Sequence, residues 1–206
     1  MPEIRIIAGS NGSGKTTFTD ILSKENSVLF NFNLATDKAI HKYPELKEHV
    51  KDFVKEQLNA SIEFAISKKQ DVTVVTNYNN EQIDIVNQIV TDIKNEGFDA
   101  KLFYLHLNTI EDSMLRVKYR EAEGGHEISA EKIKQNFIEA PENLSVSQNI
   151  YDSINIIDNS ISKEIPKLIV EIQNDRIINL DLDESNKNKV SDMIANFASI
   201  DYGMQY

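Results

Sequence analysis

The chain contains no cysteine, which excludes disulfides, thiolate metal sites and cysteine nucleophiles. Proline is sparse, with four residues in all, and no proline-rich linker, internal repeat or low-complexity tract divides the sequence. Basic residues are outnumbered, Lys and Arg totalling 22 against 33 Asp and Glu, for a formal net charge of -11. A general affinity for nucleic acid or for an anionic membrane is therefore not expected, although one local basic pocket for a phosphate is compatible with this balance. No apolar run is long enough to cross a bilayer, and no stretch has the pattern of a secretory signal. The cytoplasm is the expected location.

What the sequence does have is concentrated at its start. Gly9-Ser10-Asn11-Gly12-Ser13-Gly14-Lys15-Thr16-Thr17 fits the phosphate-binding pattern G-x-x-x-x-G-K-[ST] at every fixed position. The apolar run Ile4-Arg5-Ile6-Ile7-Ala8 precedes it as a buried parallel strand would, and Phe18, Ile21 and Leu22 follow at the spacing of a helix's inner face. Glycines let the backbone curl around a polyphosphate with several N–H groups pointing inward. Lys15 is expected to place a positive charge at the β- and γ-phosphates and Thr16 to offer its hydroxyl to Mg²⁺, while the helix beginning near Gly14 turns its positive dipole end to the anion.

At 206 residues the chain suits one α/β domain with its own core. Residues 27–32 read as a second strand ending at the polar Asn33, and 44–67 as a long amphipathic helix. A third strand over 71–76 is closed by the polar Asn77-Tyr78-Asn79-Asn80. A helix over 83–93 stops at Gly97, the position of a left-handed cap, and a fourth strand follows over 100–107. Thr109 with Asp112 opens a helix that carries Arg116 and Arg120 on one face. Gly124-Gly125-His126 breaks it, and Ser129 caps another helix running past Phe137. A fifth strand is predicted over 153–158, then a hairpin over 167–172 and 176–180, then a helix over about 184–198. Strands alternating with helices predict an α/β fold, a P-loop NTPase-like parallel sheet with helices on both faces. The expected organisation is a single domain over 1–206, with a core over about 1–162 and a C-terminal hairpin and helix over about 163–206.

The segment from Arg116-Val117 through Arg120 and Gly124-Gly125-His126 to Ile133, with Asn143-Leu144, Gly97-Phe98 and Ile157-Asp158-Asn159-Ser160, resembles the zeta-toxin family of P-loop kinases. The resemblance covers most of the first 160 residues. It implies transfer of the γ-phosphate of ATP, with Mg²⁺, to a small-molecule hydroxyl, in the best-known cases on UDP-N-acetylglucosamine, and it leaves room for an antitoxin-like protein partner. By position it assigns the phosphates to Lys15, Mg²⁺ to Thr16, and the transferring phosphoryl group to Arg120 with Arg116 beside it. An arginine fork near a γ-phosphate is what that chemistry calls for, whereas the bland reading pairs both arginines with Glu121, Glu123 or Asp112.

Three positions depart from the family pattern. Asn33 stands where the family has an aspartate, Thr76-Asn77 where it has a glutamate and a hydroxyl residue, and Asn136 where it has an arginine. Asparagine takes no proton at neutral pH, so Asn33, Asn77 and Asn136 mark an altered acceptor site. Asp37 is a candidate substitute base, and Lys132 or Lys134 a partial substitute for the arginine, without its bidentate fork. His126 is placed either at a phosphate or in a structural hydrogen bond, and His41, His49 and His106 show no metal-ligand spacing. The sequence thus supports a kinase first, and second an ATP-binding or slowly hydrolysing interaction module.

Overall fold

The computed structural model describes residues 1–46, 48–125, 127–161 and 164–194. Its seven-stranded sheet has the order β2-β3-β1-β4-β5-β6-β7, formed by β1 (Glu3–Ala8), β2 (Val28–Asn31), β3 (Val72–Val75), β4 (Asp99–His106), β5 (Ser153–Asp158), β6 (Lys167–Gln173) and β7 (Arg176–Leu180). The first five are parallel to one another, and β6 and β7 add on antiparallel. Ile4, Ile6, Ile7 and Ala8 of β1 are fully buried, as the continuous apolar run of a central parallel strand requires.

The helices are α1 (Lys15–Leu22), α2 (Phe32–Lys42), α3 (Val50–Lys68), α4 (Ile83–Asn95), α5 (Ile110–Ala122), α6 (Ala130–Ser147) and α7 (Lys187–Met193). Leu58 of α3, Val86 and Ile93 of α4 and Leu144 of α6 share the main core with Ile4 and Ile6. A smaller core on the opposite face joins Ile7, Val75 and Leu105 to Phe18 and Leu22 of α1. Right-handed crossovers produce this division, because the chain leaves β1 toward β2 in one direction and builds outward through β4 and β5 in the other. The phosphate-binding loop therefore emerges where the sheet order reverses, which is where open α/β sheets form their ligand crevice. Among the described residues no helix is long and apolar enough to cross a membrane.

Several local readings hold for the expected reasons. Gly97 adopts φ +84 after α4, Thr109 Oγ1 accepts from Asp112 N at the start of α5, and Ser129 Oγ accepts from Lys132 N at the start of α6. The hairpin turns at Asn174 and Asp175, both with positive φ, the conformation that suits a two-residue turn between twisted strands. Others need correction. Ile21 is 74 % exposed and does not belong to the inner face of α1. The second strand ends at Asn31, whose Oδ1 accepts from Leu34 N and caps α2, so Asn33 sits in the first turn of a helix that replaces the predicted strand end. The predicted helix over 44–67 is a 3₁₀ turn at Pro44–Leu46 followed by α3 from Val50. The described part of the last helix is Lys187–Met193; positions 195–198 of that prediction, and His126, lie outside the described residues.

Candidate active site

The carboxyl ends of the parallel strands bring together the loop after β1, the start of α2, the polar run after β3, and Asn159 after β5. The loop is built by steric exclusion. Gly9 has φ +140, and a Cβ there would lie 2.5 Å from the Leu105 carbonyl oxygen. Gly14 has φ +97 at the N-cap of α1, and a Cβ there would lie 2.6 Å from Asn159 Nδ2, which donates to the Ser13 carbonyl at 2.9 Å. Only glycine meets both constraints without displacing its neighbours. The loop is clamped from α5 as well, where Ser113 Oγ donates to the Asn11 carbonyl at 2.7 Å.

Lys15 is 7 % exposed, and its Nζ donates to the carbonyls of Gly9 and Ser10 at 2.8 and 2.7 Å. Burial, and secondly the charge of Arg120, together pull its pKa down to about 7. A buried ammonium beside a guanidinium is costly unless an anion joins them. Ser13 Oγ is also buried and has no hydrogen-bond partner among the described residues. These features fit a polyphosphate in the loop. Thr16 and Thr17 lie exposed in the first turn of α1.

The two arginines differ in what they meet. Arg116 Nη2 donates to the carbonyls of Asn159 and Ser160 at 2.7 and 3.1 Å, tying α5 to the loop after β5. Arg120 lines a cavity of about 420 Å³ that also reaches Asn11, Asn33, Asp37, Asn77 and Asn136. Asn33 and Asn77 face each other and exchange hydrogen bonds, Asn33 Nδ2 to Asn77 Oδ1 at 3.3 Å and Asn77 Nδ2 to Asn33 Oδ1 at 3.1 Å. Asn136 is 1 % exposed; it accepts from Asn79 Nδ2 and donates to Asn11 Oδ1, both at 2.7 Å. A relay of three amides thus runs from the loop after β3 through α6 to the phosphate-binding loop.

Residues that the sequence reading passed over complete the cavity wall. Gln82 Oε1 accepts from Thr76 Oγ1 and Asn77 N at 2.7 and 3.0 Å. Glu81 pairs with Lys132 at 2.9 Å and Lys51 at 3.2 Å, and the Lys132 hydrogen bond holds its carboxyl below the usual range. Tyr78, fully buried at φ +58, anchors this loop through its hydroxyl, 2.6 Å from Ser147 Oγ and 2.9 Å from Tyr151 OH. The unbroken polar run over 76–82 was the available signal. Its partners on α3 and α6 lie too far along the chain to be read from it. His106, at the end of β4, is buried, which lowers its pKa, and its Nε2 lies 2.9 Å from Asn108 Oδ1.

A glycine cradle opening a helix at the switch point of a 2-3-1-4-5 parallel sheet, with an arginine brought in from α5 and a second cavity alongside, defines a P-loop kinase-like protein. The Zeta toxin family model matches residues 1–167, and the chain belongs to that family. No curated protein sequence matches it. Among solved structures, one of the PezAT chromosomal toxin–antitoxin system of Streptococcus pneumoniae is similar at 19% identity and TM-score 0.61, over 97% of this chain and 87% of that one. The AvrRxo1-ORF1:AvrRxo1-ORF2 structure with sulphate ions is similar at 11% identity and TM-score 0.64, over 94% of this chain and 64% of that one. A kinase-like protein from Chloroflexus aurantiacus matches at 14% identity and TM-score 0.51, over 66% of this chain and 74% of that one. Likeness at these identities shows the fold.

Proposed function

We propose that this chain transfers the γ-phosphate of ATP to a hydroxyl of a small molecule held in the cavity beside Arg120. The observation that carries this reading is the buried Lys15 ammonium under the field of Arg120, with Arg120 on the wall of a separate cavity large enough for an acceptor. In the proposed reaction the bond from the γ-phosphorus to the β,γ-bridging oxygen breaks, and a bond to the acceptor oxygen forms. ADP leaves with the electron pair, and the hydroxyl proton passes to Asp37 or to solvent. Lys15 and the loop N–H groups hold the phosphates, Arg120 stabilises the charge spreading over the equatorial oxygens, and Arg116 positions the loop after β5. Asn33 and Asn77 orient the hydroxyl without taking its proton. A loose phosphoryl-transfer transition state asks little of a base. The unit proposed to carry this activity is 1–206, with β6 and β7 continuing the sheet.

The residues present fit Mg²⁺ held mainly by the nucleotide. Thr16 supplies one exposed hydroxyl at the loop, and among the described residues no group of three His, Cys, Asp or Glu is placed to hold a metal alone. Mg²⁺ favours that arrangement, since it keeps several waters and takes few protein ligands beside phosphates. When bound it neutralises phosphate charge.

Incubation with γ-labelled ATP and a panel of sugar nucleotides and other metabolites tests the reading. Label on a small molecule supports it, and free phosphate alone contradicts it. A second reading, an ATP-binding or slowly hydrolysing interaction module, is favoured by the Asn33–Asn77 amide pair, which puts no carboxylate at either position. An antitoxin-like protein partner accords with the toxin–antitoxin system among the similar structures. Co-expression with the product of a neighbouring reading frame, followed by light scattering of the purified sample, checks it; a species of monomer mass alone would exclude that partner.

A further inference from the structure

The Zeta toxin match ends at residue 167, and β6, β7 and α7 extend from there. The far end of that segment returns to the phosphate-binding loop through one buried side chain. Asn186, 1 % exposed, stands directly before α7 and bridges two aspartates. Its Oδ1 accepts from Asp183 N at 3.0 Å, and its Nδ2 donates to Asp158 Oδ2 at 3.1 Å. The other Asp158 oxygen accepts from the backbone N–H and the hydroxyl of Ser160. Asp158 ends β5, so Asn186 and Ser160 together fix the direction in which the chain leaves the sheet.

That direction sets the nucleotide site on two sides. Asn159 Nδ2 donates to the Ser13 carbonyl and lies 2.6 Å from where a Cβ on Gly14 would stand. Arg116 donates to the carbonyls of Asn159 and Ser160, and one turn further along α5 is Arg120, whose charge acts on Lys15. The C-terminal segment has a second hold on the same loop through Asn108. Asn108 N donates to Ser160 Oγ at 2.9 Å, its Nδ2 donates to Ser185 Oγ at 3.2 Å, and its carbonyl accepts from Lys189 Nζ. Displacing residues 158–160 therefore moves the phosphate-binding loop and the arginine helix together, and a misplacement of about 1 Å is enough to cost binding and turnover.

We propose that Asn186 is a positioning residue for the nucleotide site, holding Asp158 so that Asn159 and Arg116 keep the phosphate-binding loop and α5 in register. This role rests on the ATP-binding part of the proposed function. Exchanging the two side chains tests it. Asn186→Asp sets two carboxylates against each other. Asp158→Asn sets two amide N–H groups against each other, because the Oδ1 atoms stay committed, at 186 to Asp183 N and at 158 to Ser160. The double variant Asp158→Asn with Asn186→Asp restores the contact with its polarity reversed and conserves net charge.

Calorimetric titration of the full chain with MgADP, beside urea unfolding of the same samples, reads affinity and stability separately. Each single substitution should weaken MgADP binding about tenfold or more, and the double variant should return to within about threefold of wild type. Single variants that bind MgADP like wild type, whatever their urea midpoints, overturn the proposal, as does a double variant that binds no better than the singles. Where a single variant does not fold, amide hydrogen exchange of the wild type decides: saturating MgADP should slow exchange over 183–190, and no change there overturns the proposal. A wild type that fails to bind MgADP removes the nucleotide reading, and the role of Asn186 with it.

Discussion

The two halves of the crevice handle charge in opposite ways. On the side of β1 and β5, a buried lysine, an adjacent arginine and a Ser13 hydroxyl without a partner among the described residues leave positive potential and donor capacity for an anion. On the side of β2 and β3, amides pair with amides and one glutamate holds two lysines, so these polar groups are engaged with one another. The difference indicates where binding energy is spent. Under the proposed function the first half meets phosphate charge and the second orients the acceptor.

The largest expected effect comes from removing the cation that reaches from one half into the other. Arg120→Ala should lower turnover on the order of 10³-fold or more while changing ATP affinity far less, because in the proposed mechanism its charge is matched to the transferring group. Steady-state kinetics beside ATP titrations separate the two, and a variant that loses affinity but keeps its turnover would place Arg120 in ground-state binding. Lys15→Ala should reduce kcat/KM by roughly 10²–10³-fold with a clear loss of ATP affinity. Equal ATP affinity by calorimetry for wild type and variant would remove Lys15 from the nucleotide site.

Smaller effects probe the seam between the halves. Asn136→Ala leaves Asn11 Oδ1 and Asn79 Nδ2 without their partner and should cost about 2 kcal/mol of folding stability, read as a lower midpoint in urea. An unchanged midpoint would mean that the relay contributes nothing net. The pH dependence of ATP affinity is the mildest test. Lys15 without ligand has its pKa lowered to about 7, so above that pH it must gain a proton to meet the anion. Affinity should be flat below pH 7 and fall by up to about tenfold over the next unit, with proton uptake on binding. Affinity that stays level from pH 7 to 8 would contradict the lowered pKa.

How much of this was legible depended on whether the determinant was local. The phosphate-binding loop, the caps at Thr109 and Ser129 and the stop at Gly97 depend on a few consecutive residues, and each could be read from its own stretch. The start of α2 is local too, but Asn31 and Phe32 suit a strand end as well as a cap and a first turn, and only pairing with β3, which ends at Asn31, separates them. Asn136 could be placed as a departure from the family arginine, yet its contacts with Asn11 and Asn79 bridge 125 and 57 positions of chain. The Glu81 triad was invisible for the same reason. Charge composition showed an acidic chain and gave no sign that one carboxylate pairs with lysines of both α3 and α6.

The most direct test of the account follows phosphorus itself. Phosphorus NMR of MgATP with the wild-type protein and a pool of sugar nucleotides and other metabolites should show a phosphomonoester resonance growing in step with ADP, close to one for one, and Arg120→Ala should suppress both together. ADP accompanied only by inorganic phosphate, at a rate that ignores the metabolite pool, would contradict the phosphotransferase reading and leave the chain an ATP-hydrolysing or ATP-binding module.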